Sequence, residues 1–303
     1  MCGMDNFSST PRSINLGILG MGAIGRLMAW HCQTATHCYA LHNHSAEDCS
    51  FNVRSDKSVE QVTIPHWNGE PLDVLFVCVK AQQTLAALEQ WQAAITDNTQ
   101  IVLLQNGLGQ QQEVAQNYPK HTIFAASSTE GANRTQSGDL NYAGKGETLW
   151  GHFSGPGASL HLPLSNLGGS HKAVHNIHQV LLDKLAINAV INPLTVKYDC
   201  PNGKLLTIPA AFQELQQLVQ EVESVIKQTE QKLSYPLQEK AEQVCTNTAA
   251  NISSMLQDIR AGRNTEINYI TGYLCNMAKA HHIDHELNQS LLNYVLIRQQ
   301  TNH

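Results

Sequence analysis

The stretch INLGILGMGAIG, residues 14–25, decides the fold of this chain. Its first half, residues 14–20, is an apolar run with the length and composition of a buried β-strand. Residues 21–32 follow with apolar side chains at helical spacing. The three closely spaced glycines therefore stand at a strand-to-helix turn, where the free N–H groups of the first helical turn favour phosphate.

The pattern G-x-G-x-x-G assigns a separate physical task to each glycine. Gly20 permits a tight turn, Gly22 lets a pyrophosphate group approach the backbone, and Gly25 allows the helix to pack closely on the strand. The strand before and the helix after supply the context that this motif requires, which favours a bound dinucleotide over the alternative, a purely structural turn. The predicted cofactor-binding loop consists of Gly20, Met21, Gly22, Ala23, Ile24 and Gly25.

The end of the second predicted strand, residues 38–42, distinguishes between the two nicotinamide cofactors. An Asp or Glu at this place hydrogen-bonds the ribose 2′-hydroxyl of NAD and repels a 2′-phosphate. The chain has His42-Asn43-His44-Ser45 here, and its next acid is Glu47. The sequence therefore favours NADPH, and the alternative is that these histidines are ordinary loop residues.

The pattern of hydrophobic residues changes near residue 155. Before it, β-rich runs alternate with helical patterns, as in a parallel sheet with crossover helices; after residue 173 the helical patterns dominate. The predicted strands are residues 14–20, 38–42, 73–79, 100–104 and 122–126, with a helix over 81–95 and an antiparallel addition within 138–151. The predicted C-terminal helices are residues 173–197, 209–233, 237–260, 264–281 and 285–300.

These patterns predict an α/β plus all-α protein. With 303 residues, the chain is long enough for two domains. We expect a flexible tail over residues 1–13, a Rossmann-type dinucleotide-binding domain over 14–172, and a helical substrate and catalytic domain over 173–303.

Composition and charge argue against several classes of protein. The formal net charge of −6 disfavours a nucleic acid or an anionic membrane as partner. No apolar run reaches the roughly 18 residues of a membrane span, and the N-terminus lacks the pattern of a secretory signal. The eight cysteines include no C-x-x-C pair. We therefore expect a cytoplasmic protein with reduced thiols.

Two groups of histidines raise the alternative of a metal site. They are His171, His175 and His178, and His281, His282 and His285. The first group would share one face of a helix, but no acid or thiol accompanies it at close spacing. The second stands at a predicted helix end, where imidazole complements exposed carbonyl groups. Ordinary polar roles account for both groups, so no metal cofactor is expected.

A row of polar residues crosses an apolar helical pattern at residues 184–193, KLAINAVINP. Lys184, Asn188 and Asn192 are spaced i, i+4 and i+8, so one side of the helix presents an ammonium group and two amides. Burying such groups is unfavourable unless a partner satisfies them, and a bound carboxylate and hydroxyl would do so. The alternative is a solvated polar stripe.

Seven sequence blocks follow one another in a fixed order. They are residues 20–25, Val79-Lys80-Ala81, Gln105-Asn106-Gly107, residues 184–193, Cys200-Pro201-Asn202-Gly203, Asn251-Ile252-Ser253-Ser254-Met255 and Thr265-Glu266-Ile267. In this order they resemble the ketopantoate reductase (2-dehydropantoate 2-reductase) family, over nearly the whole chain. The resemblance implies NADPH-dependent reduction of ketopantoate to pantoate in pantothenate (vitamin B5) biosynthesis.

The resemblance also implies roles for single residues. Lys184 is the implied general acid, a task that suits an ammonium group with a reference pKa of about 10.4. Glu266, the second implied catalytic residue, orients the substrate and the ribose and pairs with the lysine. The implied substrate ligands are Asn106, Asn188, Asn192, Asn202 and Ser254. Besides the glycine loop, the implied cofactor ligands are His44, Lys80, Asn106, Ala132 and Glu266.

Departures from the family pattern and competing functions are also present. His44 stands where relatives often have an arginine for the 2′-phosphate, and Asp199 where they have an asparagine. Lys80 could instead be a helix-start charge, and Glu266 an acid that stabilises a helix N-terminus.

The competing functions are a reductase of another small 2-keto acid, a nucleotide-sensing module, and a metal-dependent enzyme. The expected partner is a small-molecule 2-keto acid, and both homodimer and monomer stay open.

Overall fold

The computed structural model of the protein describes residues 13–33, 37–42 and 47–301. Residues 1–12 of the predicted tail lie outside this described part. The described residues form two compact units. The first comprises the described residues up to Val79 together with Ala86–Leu104 and Tyr118–Ala173; the second comprises Lys80–Leu85, Gln105–Asn117 and the described residues from Val174 onward. The division of the chain at residue 172 stays a prediction of the sequence.

The strands of the described residues all lie in the first unit. In chain order they are β1 (Asn15–Leu19), β2 (His37–Leu41), β3 (Cys49–Arg54), β4 (Val59–Ile64), β5 (Val74–Val77), β6 (Gln100–Leu103), β7 (Ile123–Ser128), β8 (Gly131–Arg134), β9 (Leu140–Gly144), β10 (Thr148–Ser154) and β11 (His171–Ala173). Seven of them form one sheet in the order β11-β10-β7-β6-β5-β1-β2. The run from β7 to β2 is parallel, and β10 joins β7 in the antiparallel sense. The segment 138–151, predicted as an antiparallel addition at the sheet edge, is divided: β9 belongs to a second sheet, and β10 has β11 on its outer side.

A second sheet of the first unit has the order β4-β3-β9-β8 and was not predicted. Its strands bury only one face: in β3 the buried side chains are Phe51 and Val53, and in β4 they are Val62 and Ile64. This alternation at i and i+2 is the available sequence pattern. Polar residues lie between the buried ones, so these strands lack the continuous apolar run that marks the strands of the first sheet.

The helices of the described residues are distributed over the whole chain. In chain order they are α1 (Ala23–Cys32), α2 (Thr84–Gln90), α3 (Gln110–Asn117), α4 (Ile177–Lys197), α5 (Pro209–Gln228), α6 (Leu237–Asn247), α7 (Ser254–Arg260), α8 (Thr271–Ala280) and α9 (Glu286–Gln300). The helix predicted over 81–95 is divided into a 3₁₀ turn at Ala81–Gln83, α2 and a second 3₁₀ turn at Gln92–Ala94. Between α2 and the second 3₁₀ turn, the backbone angles of Trp91 (φ −102°, ψ 21°) depart from helical values.

The ends of four predicted C-terminal helices were wrong, for local reasons. The helix predicted over 209–233 ends at Gln228, because Glu230 has a φ of +59° and cannot continue a right-handed helix. The helix predicted from 173 begins at Ile177, because the Asn176 side chain accepts from the N–H of Gln179 and caps it. The region predicted as one helix over 237–260 is α6 and α7, and Ser253 caps α7 by accepting from the N–H of Leu256 at 3.1 Å. The helix predicted from 264 begins only at Thr271, after a 3₁₀ turn.

The helix α4 lies at the centre of the second unit. It packs against α5, α6, α7 and α9, and most of its side chains are buried. Pro193 lies inside it, and because proline has no N–H the carbonyl of Ala189 lacks its usual helical donor. No helix among the described residues is both long and apolar enough to cross a membrane.

Candidate functional site

The glycine loop lies between β1 and α1 in the first unit. Gly20 has a φ of +97°, which glycine adopts without strain, and a Cβ at this position would lie 2.8 Å from the backbone nitrogen of Val79. Its N–H donates to the carbonyl of Leu41 at 3.3 Å, so the loop lies beside the carboxyl end of β2. A Cβ on Gly25 would lie 1.9 Å from the carbonyl oxygen of Gly20. Both glycines are therefore required by the backbone itself.

Gly22 differs from the other two glycines. Its φ is −74°, and no atom of the described residues lies within 4 Å of the position that a Cβ would take. The protein fold alone gives no reason for glycine here, whereas a ligand approaching the N-terminus of α1 does. The first turn of α1 contains no acidic residue that would repel a phosphate. The loop therefore fits the pyrophosphate of a dinucleotide.

The other predicted cofactor ligands are distributed over the chain. His44 lies outside the described residues. Ala132 lies in β8, paired with Tyr142 of β9, and packs against the apolar core of the first unit. Lys80 belongs to the second unit, with Asn106 and Glu266. Arg54 of β3 could also offer a positive charge to a cofactor, but it is bound to Asp139 at 2.8 Å.

The polar stripe predicted from the sequence lies on α4. Because this helix is continuous from Ile177 to Lys197, Lys184, Asn188 and Asn192 follow one another along the same side. Lys184 and Asn188 are half-buried, and Asn192 is buried. The stripe is therefore not the solvated face that the alternative required.

Lys184 has an altered acidity. Burial lowers the pKa of its ammonium group to about 8, and the nearby Glu266 carboxylate opposes this shift. The group therefore exchanges its proton close to neutral pH, as a general acid or base must. The carboxylate that the sequence paired with this lysine is thus close enough to act on it electrostatically.

Glu266 is held by two hydrogen bonds from distant segments of the chain. The backbone N–H of Ala81 donates to Oε1 at 3.1 Å, and the Asn106 amide donates to Oε2 at 3.3 Å. Burial raises the pKa of this carboxyl, and the two hydrogen bonds and the charge of Lys80 work in the opposite direction. Glu266 directly precedes the 3₁₀ turn at Ile267–Tyr269 and is not part of an α-helix.

Lys80 binds protein groups of the second unit. Its ammonium group donates to the Asp258 carboxylate and to the backbone carbonyl of Asn264. Asp258 was not among the residues singled out from the sequence. The available pattern was an acid within a short helical run, MLQDI at 255–259, with basic residues at 260 and 263.

Asn202 and Ser254 lie in two segments that contact each other. The N–H of Asn202 donates to the carbonyl of Asn251 at 3.0 Å, and its side-chain amide donates to Thr248 at 2.8 Å. Its Oδ1 atom is buried and has no hydrogen-bond partner among the described residues. Ser254 begins α7 and is exposed.

The first histidine group is divided between different elements. His171 lies in β11, where its Nδ1 accepts a hydrogen bond from the Trp150 indole at 3.0 Å, and His178 lies in α4. They therefore do not share a helix face. Within the described part of the chain, no group of three or more His, Cys, Asp or Glu residues is placed to hold a metal ion.

Comparison with known proteins identifies the family. The family model described as Ketopantoate reductase PanE/ApbA matches residues 16–155, and the model for the C-terminal part of the same family matches residues 176–299. The chain belongs to the ketopantoate reductase family. The family predicted from the seven sequence blocks is therefore confirmed.

Two similar members of the ketopantoate reductase family come from bacteria. The 2-dehydropantoate 2-reductase of Vibrio cholerae serotype O1 is 30% identical over 300 residues, which cover 95% of this chain and 99% of the relative. The 2-dehydropantoate 2-reductase of Yersinia pestis is 35% identical over 293 residues, which cover 88% and 89%.

Solved structures with the same fold include further members of this family. The probable 2-dehydropantoate 2-reductase of Bacillus subtilis has a TM-score of 0.78 at 24% identity and covers 94% of this chain and 100% of its own. A D-mandelate dehydrogenase with NADH and anilino(oxo)acetate has a TM-score of 0.86 at 20% identity and covers 95% and 99%. The predicted fold class, a Rossmann-type domain followed by a helical domain, is confirmed.

Proposed function

We propose that the protein catalyses the NADPH-dependent reduction of 2-dehydropantoate to pantoate, a step of pantothenate biosynthesis. The relatives from Vibrio cholerae and Yersinia pestis carry the name 2-dehydropantoate 2-reductase and match nearly the whole chain. The observation that carries the proposal is the arrangement of Lys184 on the same side of one helix as two amides, with the lysine near the Glu266 carboxylate that Ala81 and Asn106 hold in place.

Lys184 donates the proton in this reaction. Reduction of the ketone turns the C2 carbonyl oxygen into an alkoxide, which takes one proton to become the hydroxyl of pantoate. An ammonium group with a pKa of about 8 is mostly protonated at neutral pH and releases its proton more readily than an ordinary lysine. Before the transfer, its positive charge also stabilises the negative charge that develops on the oxygen.

Glu266 orients the reacting groups. Its two oxygens accept from Ala81 and Asn106, so its position is determined before any ligand arrives. Its charge helps to keep Lys184 protonated. We place the substrate between these residues and the amides of Asn188 and Asn192, with Asn106 in contact with both ligands.

The remaining substrate ligands are Asn202 and Ser254. The buried Oδ1 atom of Asn202 is an acceptor without a hydrogen-bond partner in the part of the chain that the structure describes, and a substrate hydroxyl would satisfy it. Ser254 offers an exposed hydroxyl at the start of α7. These neutral groups suit a substrate with hydroxyl and carboxylate groups.

The glycine loop would hold the pyrophosphate of NADPH at the N-terminus of α1. When bound, the cofactor supplies the hydride that goes to C2 of the substrate. The histidines after β2, including His44, leave the 2′-phosphate unopposed by an acid. Ala132 and Lys80 complete the proposed cofactor ligands. The proposal also includes a cytoplasmic location and a domain boundary at residue 172. Its assembly is either a homodimer or a monomer.

The test is the initial rate of NADPH oxidation with ketopantoate as substrate. Parallel reactions contain NADH, 2-ketoisovalerate or 2-keto-4-methylpentanoate. We expect the highest kcat/KM for NADPH with ketopantoate, and full activity in EDTA. A clear preference for a keto acid without the 4-hydroxyl would instead assign the protein to the related reductases of other 2-keto acids. This second function stays in view because a D-mandelate dehydrogenase has the same fold, and fold does not select substrate.

Lys184→Ala separates catalysis from nucleotide binding. We expect cofactor binding to persist and the rate to fall by about two to four orders of magnitude, the usual contribution of a general acid. Asn188→Ala is the matched variant on the same side of α4: it should raise KM and leave the proton donor in place. Equal activity of Lys184→Ala and an active wild type would contradict the mechanism. Nucleotide binding without turnover in either protein would favour a nucleotide-sensing module.

A further inference from the structure

We infer that Asp258 is a positioning residue for Glu266, acting through Lys80. The inference rests on the proposed function, because it concerns the residue that orients the reacting groups there. It assigns to Lys80 a task within the second unit, in addition to or instead of the cofactor contact that the family resemblance implies.

The Asp258 carboxylate binds one cation with each oxygen. Lys80 Nζ donates to Oδ2, and Arg263 Nε donates to Oδ1 at 2.9 Å. The exposed fractions of the side chains are 14% for Asp258, 28% for Lys80 and 55% for Arg263. Solvent therefore screens the pair with Arg263 more strongly than the pair with Lys80. The ion pair with Lys80 is the one that holds distant segments together, since 178 positions separate the two residues.

Three consecutive residues, 80–82, contact three consecutive residues, 264–266. Besides its bond to Asp258, Lys80 donates to the carbonyl of Asn264. The Gln82 side chain donates to the carbonyl of Thr265 at 3.5 Å, and the Ala81 N–H donates to Glu266 Oε1. Lys80 and Gln82, the residues on either side of Ala81, are thus both hydrogen-bonded to the segment that contains Glu266.

Glu266 depends on such contacts because no α-helix fixes its backbone. The residue lies at the start of a 3₁₀ turn, with φ −93° and ψ 23°, and α7 has already ended at Arg260. An irregular segment has many accessible conformations, and hydrogen bonds to neighbouring residues restrict them. Asp258, in the last turns of α7, is the rigid point to which Lys80 is attached.

The charges support the same arrangement. The Lys80 ammonium lowers the pKa of Glu266 and the Asp258 carboxylate raises it. Together the Lys80 ammonium and the Asp258 carboxylate form a nearly neutral pair beside the Glu266 carboxyl. Lys80 can therefore hold residues 80–82 in place without adding a full positive charge next to Glu266. An unpaired Lys80 would compete with Lys184 for the Glu266 carboxylate.

A double-mutant cycle tests the inference. The variants are Asp258→Asn, Lys80→Met and the combination, with Arg263→Gln as the matched control that removes the other partner of Asp258. For each we would measure kcat and KM for ketopantoate, and the Kd for NADPH by fluorescence titration. We expect each single variant to lower kcat by about 10-fold and the double variant to be no worse than either single one. Arg263→Gln should stay within about twofold of the wild type.

Two outcomes of the cycle would overturn the inference. One is multiplication of the two single effects in the double variant, which would mean that Lys80 and Asp258 act separately. The other is a large rise in the NADPH Kd for Lys80→Met with none for Asp258→Asn, which would make Lys80 a cofactor ligand only.

Hydrogen exchange of the Ala81 amide gives a readout that needs no turnover. In Asp258→Asn this amide should exchange at least about 10-fold faster than in the wild type, while the amides of β5 and β6 keep their protection. Unchanged protection of Ala81 in the folded variant would overturn the inference. If the wild-type protein does not reduce ketopantoate, the proposed function fails, and the Ala81 amide still reports whether Asp258 positions this segment.

Discussion

The side-chain amide of Asn106 donates a hydrogen bond to the Glu266 carboxylate, with 3.3 Å between Nδ2 and Oε2 and 160 positions between the two residues. Asn106 lies three residues after the end of β6, and Glu266 lies between α7 and α8. The Ala81 N–H donates to the other carboxylate oxygen. Two segments, one after β5 and one after β6, therefore determine the orientation of the Glu266 side chain. That side chain in turn acts on the pKa of Lys184.

The pH dependence of ketone reduction should follow Lys184. The lowered pKa means that the acid form, the ammonium, is present below about pH 8 and disappears above it. We expect kcat/KM for ketopantoate reduction to fall as the pH rises through about 8, and the reverse oxidation of pantoate to increase over the same range. The check is a pH profile of both directions. A fall in kcat/KM only at about pH 10, the ordinary range of lysine, would contradict the burial of this group.

Glu266→Gln should move this fall in kcat/KM to lower pH. The variant removes the negative charge that raises the pKa of Lys184, so the ammonium loses its proton earlier. The amide also has one acceptor oxygen instead of two, so either Ala81 or Asn106 loses its partner. We expect kcat/KM at neutral pH to fall by about 10- to 100-fold. Glu239→Gln, an exposed acid in the first turn of α6, is the control and should leave the profile unchanged.

Two glycine variants should separate folding from cofactor binding. In Gly25→Ala the new Cβ would lie 1.9 Å from the Gly20 carbonyl oxygen, so α1 must shift and the apparent Tm should fall by about 4–8 °C. In Gly22→Ala the Cβ meets no protein atom within 4 Å, so the Tm should stay within about 2 °C while the NADPH Kd rises by about 10-fold or more. Thermal unfolding and fluorescence titration measure the two effects. Normal NADPH binding by Gly22→Ala would mean that the pyrophosphate lies elsewhere.

Asp139 should stabilise the second sheet of the first unit, except in acid. Its carboxylate accepts from the Asn52 N–H at 3.0 Å and from Arg54 Nη2 at 2.8 Å, and hydrogen bonding to Arg54 lowers its pKa to about 2. A lowered carboxyl pKa stabilises the fold above the ordinary value of 3.8 and loses this effect as the pH falls toward 2. Asp139→Asn should therefore lower the Tm at pH 7, and the difference from the wild type should shrink in acid.

The control for Asp139 is Asp97→Asn, which changes an exposed aspartate of the same unit. It should leave the Tm unchanged at both pH values. A Tm difference for Asp139→Asn that persisted at the lowest pH would show that the asparagine disturbs packing and not the ionic contact.

Features that depend on neighbouring residues could be predicted from the sequence. The glycine loop followed from backbone geometry, because only glycine tolerates the φ of Gly20 and the contact at Gly25. The row of Lys184, Asn188 and Asn192 followed from the period of the helix. The parallel sheet followed from apolar runs separated by helical patterns. In each case the geometry of a single element, set by its own backbone, was sufficient.

Only the tertiary structure decided the features that depend on distant residues. The bonds from Ala81 and Asn106 to Glu266, and from Lys80 to Asp258, join segments that no local pattern relates. The pKa of Lys184 depends on burial, which the packing of other helices around α4 creates. Backbone periodicity determines which residues share a face, whereas burial and long-range hydrogen bonds exist only once those faces have packed.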